Sequence, residues 1–215
     1  MNSRSQKKNP YRSQLRAEQA EGTRQIVLEA ATRLFVERGY AATSIDAIAE
    51  AAGVGRSTVF SAAGGKSWLL KTAYDRAIVG DDEPVPLLER PLARKLFQMS
   101  DPVAIVAGHA RIVADAAQRV SAICEAIHAA AGCDPEVGDL WTEIGQQRLR
   151  GAEAFATLIN EKGGLRGGLA VDEARDIIWI FNDPALHHAL VRLRGWDQDQ
   201  YRRWLTENLQ RQLLG

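Results

Sequence analysis

The sequence predicts an all-α fold in two parts. A small N-terminal three-helix domain holds two short helices around a glycine turn, and a larger helical body follows. Three observations predict this. Apolar residues recur at helical spacing in segment after segment, no stretch alternates as a strand would, and glycine, proline and capping residues cluster between the periodic segments. At 215 residues, 46% hydrophobic and 25% charged, the chain has ample material for a core and an ordinary globular composition.

Residues 1–16 carry five cations (Arg4, Lys7, Lys8, Arg12, Arg16) and no acid. With few apolar side chains they cannot pack a core, so residues 1–22 are expected to form a flexible basic arm, either merely solvated or lying along DNA phosphates. Thr23 to Arg38 reads as an amphipathic helix, with Ile26, Val27, Ala30, Ala31, Leu34 and Phe35 on one face and Gly39 as its stop. Thr43 is the expected cap of the next helix, whose Ile45, Ile48, Ala49 and Ala52 share a face up to Gly53. Gly55, Arg56, Ser57 and Thr58 open a second short helix, and Val59 turns to the core. This is the layout of a helix-turn-helix, in which the second helix enters the DNA major groove by its N-terminal end. A fourth helix spans Lys66 to Val79.

Gly80 to Pro91 holds three consecutive acids and three prolines and reads as a linker. The domain boundaries follow: 1–22 arm, 23–80 DNA-binding domain, 81–215 helical body, whose ligand-binding and dimerisation role is only what the family resemblance given below implies. In the body, a short helix over Leu92–Met99 precedes a long one, capped at Ser100, reaching about Ala131 with a bend near Ser121. Pro135–Lys162, Val171–Phe181, Ala185–Leu193 and a last helix capped by Asp197 complete it.

Charge separates the two parts. Residues 1–80 hold 12 Lys+Arg against 7 Asp+Glu, about +5, and the remainder 15 against 20, about −5. A basic reader on an acidic body has this asymmetry. Several classes are excluded. Cys124 and Cys133 make neither a disulfide framework nor a metal motif, and the four histidines form no ligand set. No apolar run is long enough to span a bilayer, and the N-terminus lacks the apolar core of a secretory signal. Gly65-Lys66-Ser67 resembles the end of a phosphate loop, but Phe60 stands where the first glycine belongs and no strand precedes it. The expectation is therefore a cytoplasmic protein that is not an enzyme and needs no cofactor.

Phe35, Gly39, Tyr40, Thr43, Ile48, Ala49, Gly53, Val54, Thr58, Val59, Phe60 and Lys66 stand at the mutual spacing of the TetR family of bacterial transcriptional regulators, which the run Thr23–Leu70 resembles. The body is similar to actinobacterial members in its linker, in DIIWIFNDPALHHALV and in the GWDQDQYRRWL ending. The resemblance implies a homodimer that binds a pseudo-palindromic double-stranded DNA operator, represses, and is released by a small-molecule effector. The DNA-binding residues are then Tyr40, Thr43, Ser44, Gly55, Arg56, Ser57, Thr58, Phe60, Ser61 and Lys66. Arg56 is the candidate for guanine, while Tyr40, Thr43 and Lys66 hold phosphates. Candidate pocket residues are Phe97, Met99, His109, Trp141, Arg148 and Trp179. The dimer interface is expected at Ile177, Ile178, Phe181, Tyr201, Trp204 and Leu205. One departure stands out: the family's usual aromatic or histidine residues after Phe60 are here Ser61, Ala62 and Ala63. This motivates an alternative, a ligand-binding helical dimer whose weakened reader acts through protein partners.

Overall fold

The computed structural model describes residues 10–80 and 90–214, with side chains in the first stretch from Glu18 onward. Most of the expected linker and the first part of the expected arm lie outside these residues. The chain divides into two compact units, Met1–Ala73 and Tyr74–Gly215. Among the described residues there is no strand, only an isolated bridge between Leu165 and Leu214.

In the first unit, α1 runs Pro10–Ala42, so residues 10–22 are helical rather than part of a flexible arm. Proline suits a first helical turn, and the stretch after it is rich in Gln, Arg, Ala and Glu, all strong helix formers. Gly39, at φ 79° and ψ 165°, breaks the helical run, a conformation that other residues reach only with strain. Val27, Ala31, Leu34 and Phe35 form the buried stripe, joined by Leu28, whereas Ile26 faces solvent. Helix α2 (Ile45–Ala52) ends at Gly53 in the left-handed region, φ 66° and ψ 30°, and the Val54 N–H closes the turn on the Ala49 carbonyl. The cap of α2 is Ser44, not Thr43: the Ser44 oxygen accepts from the Ala47 N–H. Helix α3 (Arg56–Ala63) is capped by Gly55 without a side chain, and α4 spans Lys66–Val79.

The unit boundary falls inside α4, before Tyr74, and not after it as the linker had suggested. The reason is that Tyr74, Asp75, Ile78 and Val79 wall a cavity of the second unit.

The second unit comprises the end of α4, α5 (Pro91–Phe97), α6 (Pro102–Ala131), α7 (Pro135–Glu161), α8 (Val171–Phe181), α9 (Pro184–His187), a π-helical turn (His188–Leu193) and α10 (Gln198–Leu213). Asp101, Asp134, Asp183 and Asp197 cap α6, α7, α9 and α10, each accepting backbone N–H bonds; Asp101 thus replaces the expected Ser100. Helix α6 is continuous through Ser121, whose hydroxyl meets His187 Nδ1 at 3.1 Å. His187 Nε2 in turn meets Gln198 Oε1 at 3.0 Å, and Gln198 donates to the Ala114 carbonyl. This buried network ties α6, α9 and α10 together.

Ile178, Tyr201 and Leu205, expected at a dimer interface, are fully buried in the chain's own core with Leu209 and Leu213. Ile177, Phe181 and Trp204 are half-buried and pack against the same cluster. The stripe on α10 serves the intrachain core because α6 and α8 both lie against it.

Candidate nucleic-acid interface and ligand cavity

The glycine turn brings the first turns of α2 and α3 side by side. Asp46, in the first turn of α2, lies opposite Arg56 at the start of α3. Arg56 Nη1 meets Asp46 Oδ1 at 2.8 Å and Oδ2 at 2.7 Å, and the guanidinium carbon sits 5.7 Å from the Phe60 ring centre. Both partners of the ion pair are well exposed, so on stability grounds it contributes under about 1 kcal/mol. Its consequence is orientational. Phe60 is 47% exposed, an aromatic ring on a recognition helix with no core to fill. Ser57 and Ser61 are exposed on the adjacent stripe, and Thr58 is half-buried.

Other expected contact residues are engaged within the fold itself, Thr43 and Tyr40 by burial and Ser44 and Lys66 by hydrogen bonds. Thr43 is 1% exposed, and its hydroxyl donates to the Leu34 and Gly39 carbonyls, so it fastens α2 to the end of α1 and offers nothing to a phosphate. The Tyr40 ring is buried against Phe35, 5.7 Å between centres. Lys66 donates from Nζ to the Tyr40 carbonyl at 2.7 Å, with Nζ 3.9 Å from the Tyr40 ring centre. This pairing holds the start of α4 to the end of α1. The Ser44 oxygen is occupied by its cap. Two features were missed from the sequence. Arg24 Nε donates to the Ala62 carbonyl at 3.0 Å, bracing the end of α3 from α1, and Asp46 holds Arg56. The second has a signal, since the two residues occupy equivalent first-turn positions of helices joined by one tight turn.

In the second unit, the C-terminal half of α4 together with α6 and α7 encloses a cavity of about 590 Å³. Ile112, Val113, Ala116, Ala117 and Val120 of α6 supply an apolar wall of mostly small side chains. Of the expected pocket residues, His109 and Arg148 line it. The other four do not. Phe97 stacks on Phe155 at 5.6 Å, Met99 packs on the core, Trp141 stacks on His128 at 4.9 Å, and Trp179 lies on the outer face of α8. These four side chains pack elsewhere, while the cavity is walled by the small residues of α6 together with Tyr74 and Phe155.

His109 is buried against the Phe155 ring, with Nε2 3.0 Å from Asn182 Oδ1. Burial pushes its imidazole down to about 4, against the opposing effect of the Asn182 bond. Above pH 6.5 the imidazole is neutral folded and unfolded; between 6.5 and 4 only the unfolded chain takes up the proton, so stability falls with falling pH. By pH 5 the loss is about 2 kcal/mol from this group. Urea unfolding at pH 7.5 and pH 5 should show it, and His109→Gln should remove that share of the difference; an unchanged difference would contradict it.

Arg148 has a side chain 12% exposed, paired with Asp183 at 2.9 Å and donating to the Trp179 carbonyl at 3.0 Å. Burial likewise pushes the Cys124 thiol up to about 12, which keeps it protonated and unreactive. Among the described residues no group of three or more His, Cys, Asp or Glu can hold a metal ion, and no helix is long and apolar enough to cross a membrane.

A three-helix unit whose exposed second short helix presents an arginine and an aromatic has the architecture of a helix-turn-helix DNA-binding domain. Residues 27–73 match the bacterial regulatory proteins of the tetR family. The match covers the helix-turn-helix unit, so this part of the chain is similar to that family's DNA-binding domain. No curated protein is a significant sequence match. The fold is shared with NalD of Pseudomonas aeruginosa, the secondary repressor of the MexAB-OprM multidrug efflux pump. That likeness has a TM-score of 0.68 and 22% identity, covering 92% of this chain and 98% of the other. A transcriptional regulator from Saccharomonospora viridis, in complex with choline, has a TM-score of 0.69 at 18% identity, covering 91% and 99%. FadR of Bacillus subtilis, in complex with stearoyl-CoA, has 0.66 at 17%, covering 86% and 96%.

Proposed function

We propose that the protein is a cytoplasmic repressor that binds a pseudo-palindromic operator as a homodimer and is released by a small amphipathic effector. One observation carries the ligand-responsive part. Helix α4 runs unbroken from Lys66, just past the recognition helix, to Val79, and its last turns wall the cavity. A ligand that displaces this wall acts on the same helix that leaves the reader. A coupling of roughly 1–3 kcal/mol is typical of such linkage. The cavity's size and its mixture of aliphatic walls with a few polar groups suit a small organic molecule.

The dimer is assigned to the outer face of α7 and α8. Leu149, Trp179 and Ile180 are exposed there around a shallow groove that also includes Thr142, Gly145, Gln146 and Asp176. This replaces the α8/α10 stripe expected from the sequence.

The rival reading, a ligand-binding dimer with a weakened reader acting through protein partners, draws on Ser61-Ala62-Ala63, which leave no large side chain on α3 beyond Phe60. A gel shift against the DNA upstream of the protein's own coding region separates the two. Salt-sensitive, sequence-dependent retardation is expected. Its absence at every protein concentration, with random-sequence duplexes also unbound, would sink the repressor reading.

A further inference from the structure

We infer that Arg56 and Phe60 act as one reading unit that selects a guanine and a thymine within two base-pair steps of each other in each half-site, with Asp46 as the residue that positions the arginine. The inference rests on the DNA reading above and specifies what that reader recognises.

Helix α3 has eight residues and exposes two stripes, each one turn long: Arg56 with Phe60, and Ser57 with Ser61. The second stripe reaches little. Ser57 is short, and the Ser61 hydroxyl is spent on the Thr58 carbonyl at 3.0 Å. Val59 and Ala63 are buried, and Thr58 is half-buried with a short side chain. The recognition surface of α3 therefore reduces to two long side chains on one line.

Arg56 is held in a defined pose. Asp46 takes Nη1 alone, and the guanidinium carbon lies 5.7 Å from the Phe60 ring centre. Nε and Nη2 make no hydrogen bond among the described residues. Those donors remain for the O6 and N7 acceptors that only guanine presents as a pair in the major groove. Phe60 has no donor or acceptor. The one apolar group that a base edge offers in the major groove is the thymine methyl, so an exposed ring aimed there distinguishes thymine by that methyl. Four residues of helix rise about 6 Å, just under two base-pair steps of about 3.4 Å, which sets the spacing of the two bases. Because the guanidinium faces the ring, each side chain limits where the other points.

The test begins with selection of bound duplexes from a random pool by the full-length protein, which should enrich a guanine and a thymine at that spacing. Two atom-level substitutions in the selected duplex follow. Uracil in place of the thymine deletes only the methyl and should weaken binding several-fold. Phe60→Ala should bind the two duplexes equally, while Phe60→Leu should keep part of the difference. 7-Deazaguanine deletes N7 and should weaken wild-type binding about tenfold or more, and should not weaken binding by Arg56→Ala. For Asp46→Asn, preference for guanine over adenine at that position should fall while non-specific affinity holds or rises, since an acid beside the phosphates has gone. A purely structural role would leave that ratio unchanged. The inference is overturned if uracil costs nothing, if its cost persists in Phe60→Ala, or if Asp46→Asn keeps the full guanine preference. Failure to bind any duplex would overturn the DNA reading itself, and this inference with it.

Discussion

Replacing Arg4, Lys7, Lys8, Arg12 and Arg16 by glutamine is expected to weaken operator binding by about 10²–10⁴-fold at 0.1 M salt and to remove most of its salt dependence. The expectation comes from where the charge is not. From Glu18 to Ala73 the chain holds six Lys+Arg (Arg24, Arg33, Arg38, Arg56, Lys66, Lys71) and six Asp+Glu (Glu18, Glu21, Glu29, Glu37, Asp46, Glu50), a net of zero. Of the cations, Arg24 is engaged with Ala62 and Glu21, Arg56 with Asp46, and Lys66 with Tyr40. With three of the six cations engaged and no net charge in this stretch, most of the phosphate neutralisation is expected from the five cations ahead of Glu18. Each phosphate contact contributes about 0.9 to the slope of log K against log salt, so losing all five would flatten it by about 4.5. Glutamine keeps the chain length and a helix-forming side chain, so α1 is not shortened. Binding measured from 50 to 200 mM salt decides the matter. An unchanged slope would mean that the phosphates are met elsewhere.

The reader's scaffold was legible in the sequence because its constraints are local. A glycine at positive φ, an apolar residue every third or fourth position and a capping hydroxyl all act within one turn, and Gly39, Gly53, Ile48, Ala49 and Val59 do what their spacing requires. The one-residue slip between Thr43 and Ser44 marks the limit of local reasoning. Either hydroxyl could cap α2, and the choice was made by carbonyls of α1 that accept from Thr43. The body was less legible because its questions are global. An apolar stripe such as Ile178, Tyr201 and Leu205 says that a face is buried, not whether by the same chain or by a copy. The cavity was legible only at His109 and Arg148, for the opposite reason. Much of its wall is small, at Ala116, Ala117 and Gly151, and small residues carry no sequence signal that tells a cavity from close helix packing.

Ile180→Asp is expected to make the protein monomeric and to reduce operator binding by more than about a hundredfold. Ile180 is 56% exposed and Trp179 36% exposed, on a short helix whose inner side, at Ala174 and Ile178, is fully buried. An apolar outer face next to exposed Leu149 is what a two-fold interface leaves uncovered in the single chain. The substitution leaves the buried side of α8 untouched, so the thermal stability of the monomer should hold at low concentration while the mass in solution halves. Binding then falls because two linked half-site contacts become one, and the effective concentration of the second reader is lost. A dimer that persists in Ile180→Asp would place the interface elsewhere. The same face also touches the ligand site through one residue. Arg148 lines the cavity, while its guanidinium bonds the Trp179 carbonyl and lies 5.3 Å from the centre of the Trp179 ring. A ligand that draws Arg148 away from Trp179 and Asp183 would loosen α8 where the partner docks. Dimer strength in the proposed assembly should then vary with ligand, and Arg148→Met should blunt that variation while leaving the exposed apolar face in place.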